Sequence, residues 1–414
     1  MIPPQNEIEA RLARFDATND ASVLWPGIGA RAFHAAQEEI ARVTTAVLAD
    51  AGSPVRLASK SGAEHRVLGV AAFTSSMGPL LGFWCETGRI VAEPGIRDML
   101  ALQLDHGRRR SARMRSQLER LALAFAEHSI DVTVLKGMHT AFGYFPDPGT
   151  RPMADIDLLI RPQDLDGACA TLLVHGYERH PMGHWMPPGV ARRPRSLDLV
   201  SAEDPWSVDL HMSLDREFYR GLTAGFGRPH PSHLLRWGDI AGAAHVLAGP
   251  LLLGYLAFHA ASHFYTMPLV RLVELVLVAR SDFAGRPQAW SELGALITRT
   301  ATARFVHPSL ELAERLAPGT LDPALREQLA AATPQRLRRI VARTTPGSVQ
   351  RIFSQPFGDR YLPAGSLREA VAVLAHLLLP RDRKGRLSPR AALEIYRQRI
   401  VRVAWRMGHP WRRG

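Results

Sequence analysis

The segment Arg151-Pro152-Met153-Ala154-Asp155-Ile156-Asp157-Leu158-Leu159-Ile160 decides the reading of this chain. After Pro152 it alternates acidic and apolar residues, the period-two pattern of a half-buried strand. Successive side chains of a strand point to opposite faces, so Asp155 and Asp157 share one face and Ile156 and Leu158 the other. Two neighbouring carboxylates repel unless a cation lies between them. Mg²⁺ favours carboxylate ligands and keeps positions for water and substrate phosphate oxygens. The pair is therefore a platform for a metal-bound triphosphate. An Asp-x-Asp by itself is more often a solvated pair or a turn; the elements around it give it weight.

Downstream, Val208-Asp209-Leu210-His211 supplies a third carboxylate, and Asp209 faces away from its apolar neighbours. Asp198, in Arg195-Ser-Leu-Asp198-Leu-Val200, is a rival with the same local pattern. Asp209 is preferred because its strand ends just after His211, as suits an open edge. His211 reads equally as packed or functional. The strands Arg195–Ser201 and Ser207–Met212 read as a hairpin about Ala202-Glu203-Asp204-Pro205. Between them and the Asp-x-Asp strand, Gln163–His175 reads as a helix closed by Gly176. Upstream, the β-branched run Val132-Thr133-Val134-Leu135 reads as a strand, followed by Lys136-Gly137 and the opening of a helix. Glycine admits close backbone approach to a phosphate, and the first N–H groups of a helix bind anions. Lys136 adds positive charge there, and Arg151 is placed to do the same.

The flanks read as helical. Leu100, Leu104, Leu118, Leu121 and Phe125 recur at helical spacing over residues 95–128, with Arg108, Arg109, Arg110, Arg113 and Arg115 crowding the middle. Leu251–Phe264 and Leu269–Ala279 are apolar helices, followed by helices near 290–317, 322–344 and 366–379. His259 and His263 stand one turn apart, a metal-ligand spacing, but Ala260 occupies the place where a zinc protease needs glutamate. They read as core or interface histidines, with contact to the nucleotide or acceptor as the alternative. The expected division is an N-terminal helical region at 1–128, a catalytic core at 129–245, a C-terminal helical domain at 246–380 and a basic amphipathic tail at 381–414.

Composition narrows the class. The chain has 414 residues, 46% hydrophobic and 22% charged, enough for two or three domains. Cys85 and Cys169 exclude a disulfide framework and a four-cysteine zinc site, which suits a reducing, cytoplasmic setting. The start MIPPQNEIEARLARFD has early acids and no apolar core, so no signal peptide is expected. Apolar runs such as Leu251–Ala261 fall short of the ~20 residues of a spanning helix. Net charge is +12, and residues 381–414 hold eleven Lys/Arg against two acids, or +9. Leu393, Tyr396, Ile400, Val403 and Met407 line one face of that tail, which reads as a solvated helix packed on the body. Nucleic acid or an anionic membrane surface is the rival partner, but tail aromatics are few and no nucleic-acid motif is present. Only Lys60, Lys136 and Lys384 are lysines, so Lys136 stands out in an arginine-rich chain.

At Leu135-Lys136-Gly137, Arg151, Asp155-Ile156-Asp157-Leu158-Leu159 and Val208-Asp209-Leu210-His211, the chain resembles the uncharacterised nucleotidyltransferase family of the DNA polymerase β superfamily. The resemblance runs from about residue 70 to 310, with specific motifs only between 135 and 211. It implies an α+β fold: a minimal nucleotidyltransferase mixed sheet with helical N- and C-terminal regions. The wider superfamily places Gly-Ser or Gly-Gly after the first strand; Lys136-Gly137-Met138 stands here, leaving the phosphate contact to Lys136, the Gly137 backbone, or Thr140 one turn on. The implied reaction moves a nucleoside monophosphate from an NTP, taken as ATP, to an acceptor hydroxyl or phosphate, with two Mg²⁺ ions on Asp155, Asp157 and Asp209. A small molecule, or a peptide or protein side chain, is the expected acceptor, since some family members look like tailoring enzymes of peptide natural products. A nucleic-acid-binding or catalytically inactive scaffold with this fold is the alternative.

Overall fold

The computed structural model describes residues 5–18, 21–50, 52–58, 62–179, 196–201, 203–219, 222–238, 244–350 and 365–371. The expected basic tail, and the expected helix at 366–379 beyond residue 371, lie outside these residues. Helices surround a seven-stranded mixed sheet. The helices that matter for the site are α1 (Ala30–Leu48), α2 (Pro94–Glu127), α3 (Met138–Gly143), α4 (Leu165–Val174), α5 (Gly249–Ala261), α6 (Val270–Asp282) and α7 (Ala303–Leu316).

The strands are β1 (Thr133–Val134), β2 (Asp155–Leu159), β3 (Tyr177–Arg179), β4 (Ser196–Ser201), β5 (Ser207–His211), β6 (Asp215–Tyr219), β7 (Leu222–Gly225), β8 (Leu234–Arg236) and β9 (His245–Leu247). The sheet runs β8-β9-β1-β2-β5-β4-β3, while β6 and β7 pair separately as an antiparallel ribbon. The central strand β2 lies antiparallel to β1 and parallel to β5. Strand β4 is antiparallel to β5, as the hairpin pattern predicts.

One face of β2 and β5 carries Ile156, Leu158, Val208 and Leu210, all fully buried. They share a hydrophobic cluster with Leu118, Leu121 and Phe125 of α2 and Leu165, Ala168 and Leu172 of α4. A second, larger cluster joins α1 to α5, α6 and α7. The helices that precede and follow the sheet in sequence thus share one core. Two long-range bonds mark this closure: Gln37 Nε2 donates to the Gln350 carbonyl at 3.1 Å, and Arg280 Nη1 to the Leu48 carbonyl at 2.8 Å.

The segment leading into β2 is anchored on α2. Gly107 and Gly149 let two backbones touch: a Cβ at Gly107 would come within 2.2 Å of the Gly149 carbonyl oxygen. Arg108 Nε bonds Asp147 at 2.6 Å, and Arg110 Nε donates to the Met153 carbonyl at 2.7 Å. The arginines crowding this helix therefore fix the approach to the Asp-x-Asp strand.

Several helix boundaries differ from the periodicity reading. The apolar helix expected to reach Phe264 ends at Ala261, so His263 lies beyond α5. The span 290–317 breaks at Ala301, whose φ of 52° closes Pro287–Thr300 before α7 begins. The span 322–344 divides at Pro334, which has no N–H to continue a helix, giving Pro323–Ala331 and Gln335–Ala342. No helix among the described residues is long and apolar enough to cross a membrane.

Candidate active site

The second face of β2 holds the carboxylates. Asp155 and Asp157 project from it, and the parallel register sets Asp157 beside Asp209 and Leu159 beside His211. The antiparallel register on the far side of β5 sets Asp198 beside Asp209. Asp157, Asp209 and Asp198 thus form a row across three strands, with Asp209 in the middle and Asp198 exposed at its end. Among the described residues, ligand atoms of Asp157, Asp209 and His211 lie within 4.8 Å of one another.

Asp157 is 2% exposed. Lys136 Nζ bonds its Oδ2, His211 Nε2 lies 3.0 Å from its Oδ1, and Lys136 also reaches Asp155 at 3.8 Å. Burial would push the Asp157 carboxyl up, but Lys136 and His211 outweigh it and hold it below the usual carboxylate range. Asp155 moves the other way, raised by the Asp157 charge and by burial. Asp209 is pushed up to about 7 by burial and by Asp157, Asp198 and Asp155, with only the Ser207 hydroxyl, 2.8 Å away, opposing. The row carries more negative charge than its single lysine neutralises. The atoms close enough to share a divalent cation are those of Asp157, Asp209 and His211, with Asp155 two residues along the same strand face.

The Lys-Gly turn reaches this face from β1. Gly137 has φ 71° and ψ −91°, a region that L side chains rarely enter, and it opens the six-residue helix α3. Thr140, on the next turn, directs its hydroxyl to Glu274 of α6. Arg151 also meets Glu274, with Nε to Oε1 at 2.9 Å and Nη2 to Oε2 at 3.1 Å. Tyr144, just after α3, donates to Asp282 at 2.7 Å, so α6 clamps the Lys-Gly turn at two points. The structure brings Lys136 onto the aspartates, and ties Thr140 and Arg151 together through a carboxylate that is 3% exposed.

Glu274 was not singled out from the sequence, nor were Arg271 on α6 and Arg216 on β6. Arg271 Nη1 lies 2.5 Å from His259 Nδ1, and Arg216 Nη1 lies 2.9 Å from His263 Nε2. The available signal was a single acid within Val270-Arg-Leu-Val-Glu274-Leu-Val-Leu-Val: an acid on an apolar helix stays only where it is paired. A cavity of about 450 Å³ lies elsewhere, lined by Glu311, Arg315 and Arg326 among others. Arg315 and Arg326 pair with Glu311 at 3.1 and 2.7 Å, so these three charges satisfy one another.

Among curated proteins, none matches the chain. Among solved structures, the solution structure of the antibiotic-resistance factor ANT(2'')-Ia matches at 13% identity and a TM-score of 0.32, over 46% of this chain and 95% of that one. The family model described as uncharacterised nucleotidyltransferase matches residues 80–318, which takes in the Lys-Gly turn, every strand of the mixed sheet and helices α5 to α7. With more than half of its length matched, the chain belongs to this family of nucleotidyltransferase enzymes.

Proposed function

We propose that this nucleotidyltransferase moves a nucleoside monophosphate from an NTP to a hydroxyl or phosphate of a small-molecule, peptide or protein acceptor and releases pyrophosphate. The alignment of Asp157 on β2 with Asp209 on β5, two residues along from Asp155, carries the reading. The acceptor oxygen attacks the α-phosphorus, and the bond from that phosphorus to the oxygen bridging to the β-phosphate breaks. The electron pair of that bond leaves on pyrophosphate. Asp155, Asp157 and Asp209 would hold two Mg²⁺ ions, which supply charge neutralisation at the phosphates and a lowered pKa at the acceptor hydroxyl.

The remaining work belongs to the chain. Asp209, on the strand beside Asp157, would accept the acceptor's proton. Lys136 holds the Asp157 carboxylate ionised and lies beside the incoming phosphates. The Gly137 backbone lines the same side, and Thr140 and Arg151, braced by Glu274, set the position of the Lys-Gly turn beneath the nucleotide. Catalysis here is positioning and charge stabilisation, with no covalent enzyme intermediate.

Calorimetric titration with each NTP, with and without Mg²⁺, tests the proposal. Mg²⁺-dependent binding that the Asp155→Asn/Asp157→Asn double variant loses is the expected result, and it identifies the nucleotide, with ATP tried first. No NTP binding in any condition overturns it. Labelled nucleotide then finds the acceptor, beginning with peptides and small-molecule hydroxyls.

A further inference from the structure

Two arginines beside the aspartates have no carboxylate. Arg216 of β6 and Arg271 of α6 are half-buried, and among the described residues neither forms an ion pair within 4 Å. Their hydrogen-bond partners are neutral. Arg271 Nη1 donates to His259 Nδ1 at 2.5 Å; Arg216 Nη1 donates to His263 Nε2 at 2.9 Å and to the Ser262 hydroxyl at 2.7 Å. A guanidinium cannot accept a hydrogen bond, so each histidine must present a bare ring nitrogen. Burial, together with the cations Arg216, Arg271 and Lys136, holds His259 well below its usual range and His263 down to about 3, so both rings stay neutral.

This is an unusual way to hold an arginine. A carboxylate would orient the guanidinium and cancel its charge, as Glu274 does for Arg151 on the same helix. Histidine orients it and leaves the charge intact. Burial lowers both guanidinium pKa values, a standing cost that no hydrogen-bonded carboxylate offsets, although Glu274, Asp155 and Asp157 oppose it at Arg271 through space. Asp155 and Asp157 act on Arg271 through space, and Tyr255 of α5 feels both aspartates and both arginines. Arg271 therefore borders the carboxylate site from α6, and Arg216 stands next to it on β6, against Ser262 and His263 at the end of α5. A planar fork of N–H donors matches the oxygens of a phosphate chain.

We infer that Arg216 and Arg271, oriented by His263 and His259, form an anion subsite that receives the β- and γ-phosphates of the nucleotide, the part that leaves as pyrophosphate. The inference rests on the nucleotidyltransferase reading, and it gives His259 and His263 a positioning role in place of a metal-binding one.

The probe is inorganic tripolyphosphate, titrated by calorimetry into the full-length protein without divalent metal. Wild type should bind. Arg216→Gln and Arg271→Gln should each weaken binding about tenfold to a hundredfold, and Arg271→Lys, which keeps the charge but loses the fork, should fall between. The Asp155→Asn/Asp157→Asn variant should bind at least as tightly as wild type, because repulsion is removed. Without ligand, Arg271→Met should melt no lower than wild type, since an uncompensated cation is lost; a clear drop would mark Arg271 as structural and overturn the assignment. Absent tripolyphosphate binding, or binding indifferent to both arginines, would also overturn it. Failure of the underlying reading looks different: tripolyphosphate binds through the arginines, yet no NTP shows Mg²⁺-dependent binding.

Discussion

Ile156 and Asp157 are adjacent in the chain and equally hidden, at 0% and 2% exposure, yet they meet opposite surroundings. Ile156 points into a layer of leucine, alanine and phenylalanine from α2 and α4, where an apolar side chain of similar volume would serve. Asp157 points into a layer where each neighbour is fixed by charge: Lys136, His211, and the row of Asp209 and Asp198. The first face earns its stability by area and lacks chemical selectivity. The second is left with excess negative charge on the aspartates and excess positive charge on Arg216 and Arg271. On the proposed reading, a metal-bound phosphate chain would lie between them and balance both.

The largest way to break this comparison is Asp157→Asn. Turnover should fall on the order of a thousandfold or more, with the circular dichroism spectrum unchanged; near-native turnover would remove Asp157 from the site. Next comes Glu274→Gln, which strands Arg151 as a buried, unpaired charge. Urea denaturation should show a loss of about 3–5 kcal/mol, and a negligible loss would show that Arg151 finds water instead.

A pH experiment follows. The Asp209 carboxyl is raised in the folded protein from its ordinary value to about 7, so the folded state holds more protons than the unfolded state between those limits. Stability of the metal-free protein should therefore fall as pH rises from about 4 to about 7. Asp209→Asn should flatten that slope, and saturating Mg²⁺ should reverse it; a wild-type slope retained in the variant would assign the effect to other groups. The smallest effect belongs to the apolar face. Ile156→Val should cost about 1 kcal/mol and leave Mg²⁺-NTP affinity unchanged, and a changed affinity would mean that the two faces are mechanically coupled.

Much of the carboxylate face was legible in the sequence because a strand's period of two assigns faces without reference to anything distant. Asp155, Asp157 and Asp209 were placed by that rule, and the register then aligned Asp157 with Asp209 while setting Asp198 one strand further out. Lys136 was noticed as a rare lysine, although its bond to Asp157 spans 21 residues that no local pattern describes. The partners of Arg151 and Thr140 were not legible. Glu274 lies 123 residues beyond Arg151 and 134 beyond Thr140, and only the packing of α6 on the Lys-Gly turn brings them together. His259 and His263 stood out by spacing, but spacing alone could not show that each faces an arginine. Helix ends are hidden from the apolar period where a left-handed alanine at Ala301 or a single proline at Pro334 overrides it.

The core shared by the first and last helices has a consequence for synthesis. The cluster that holds Phe33, Ile40 and Val47 of α1 also takes in residues of α6 and α7 more than two hundred positions later, and Gln37 meets Gln350 across a similar span. At roughly 5–20 residues per second, a ribosome needs on the order of half a minute to deliver those partners. Through that interval the part of the first helical cluster that α6 and α7 cover stays open. The β-sheet, which lies between those helices in sequence, is complete once Leu247 has been made, with its α2 and α4 partners already present. The sheet and its aspartates can therefore assemble before the helical frame closes around α7.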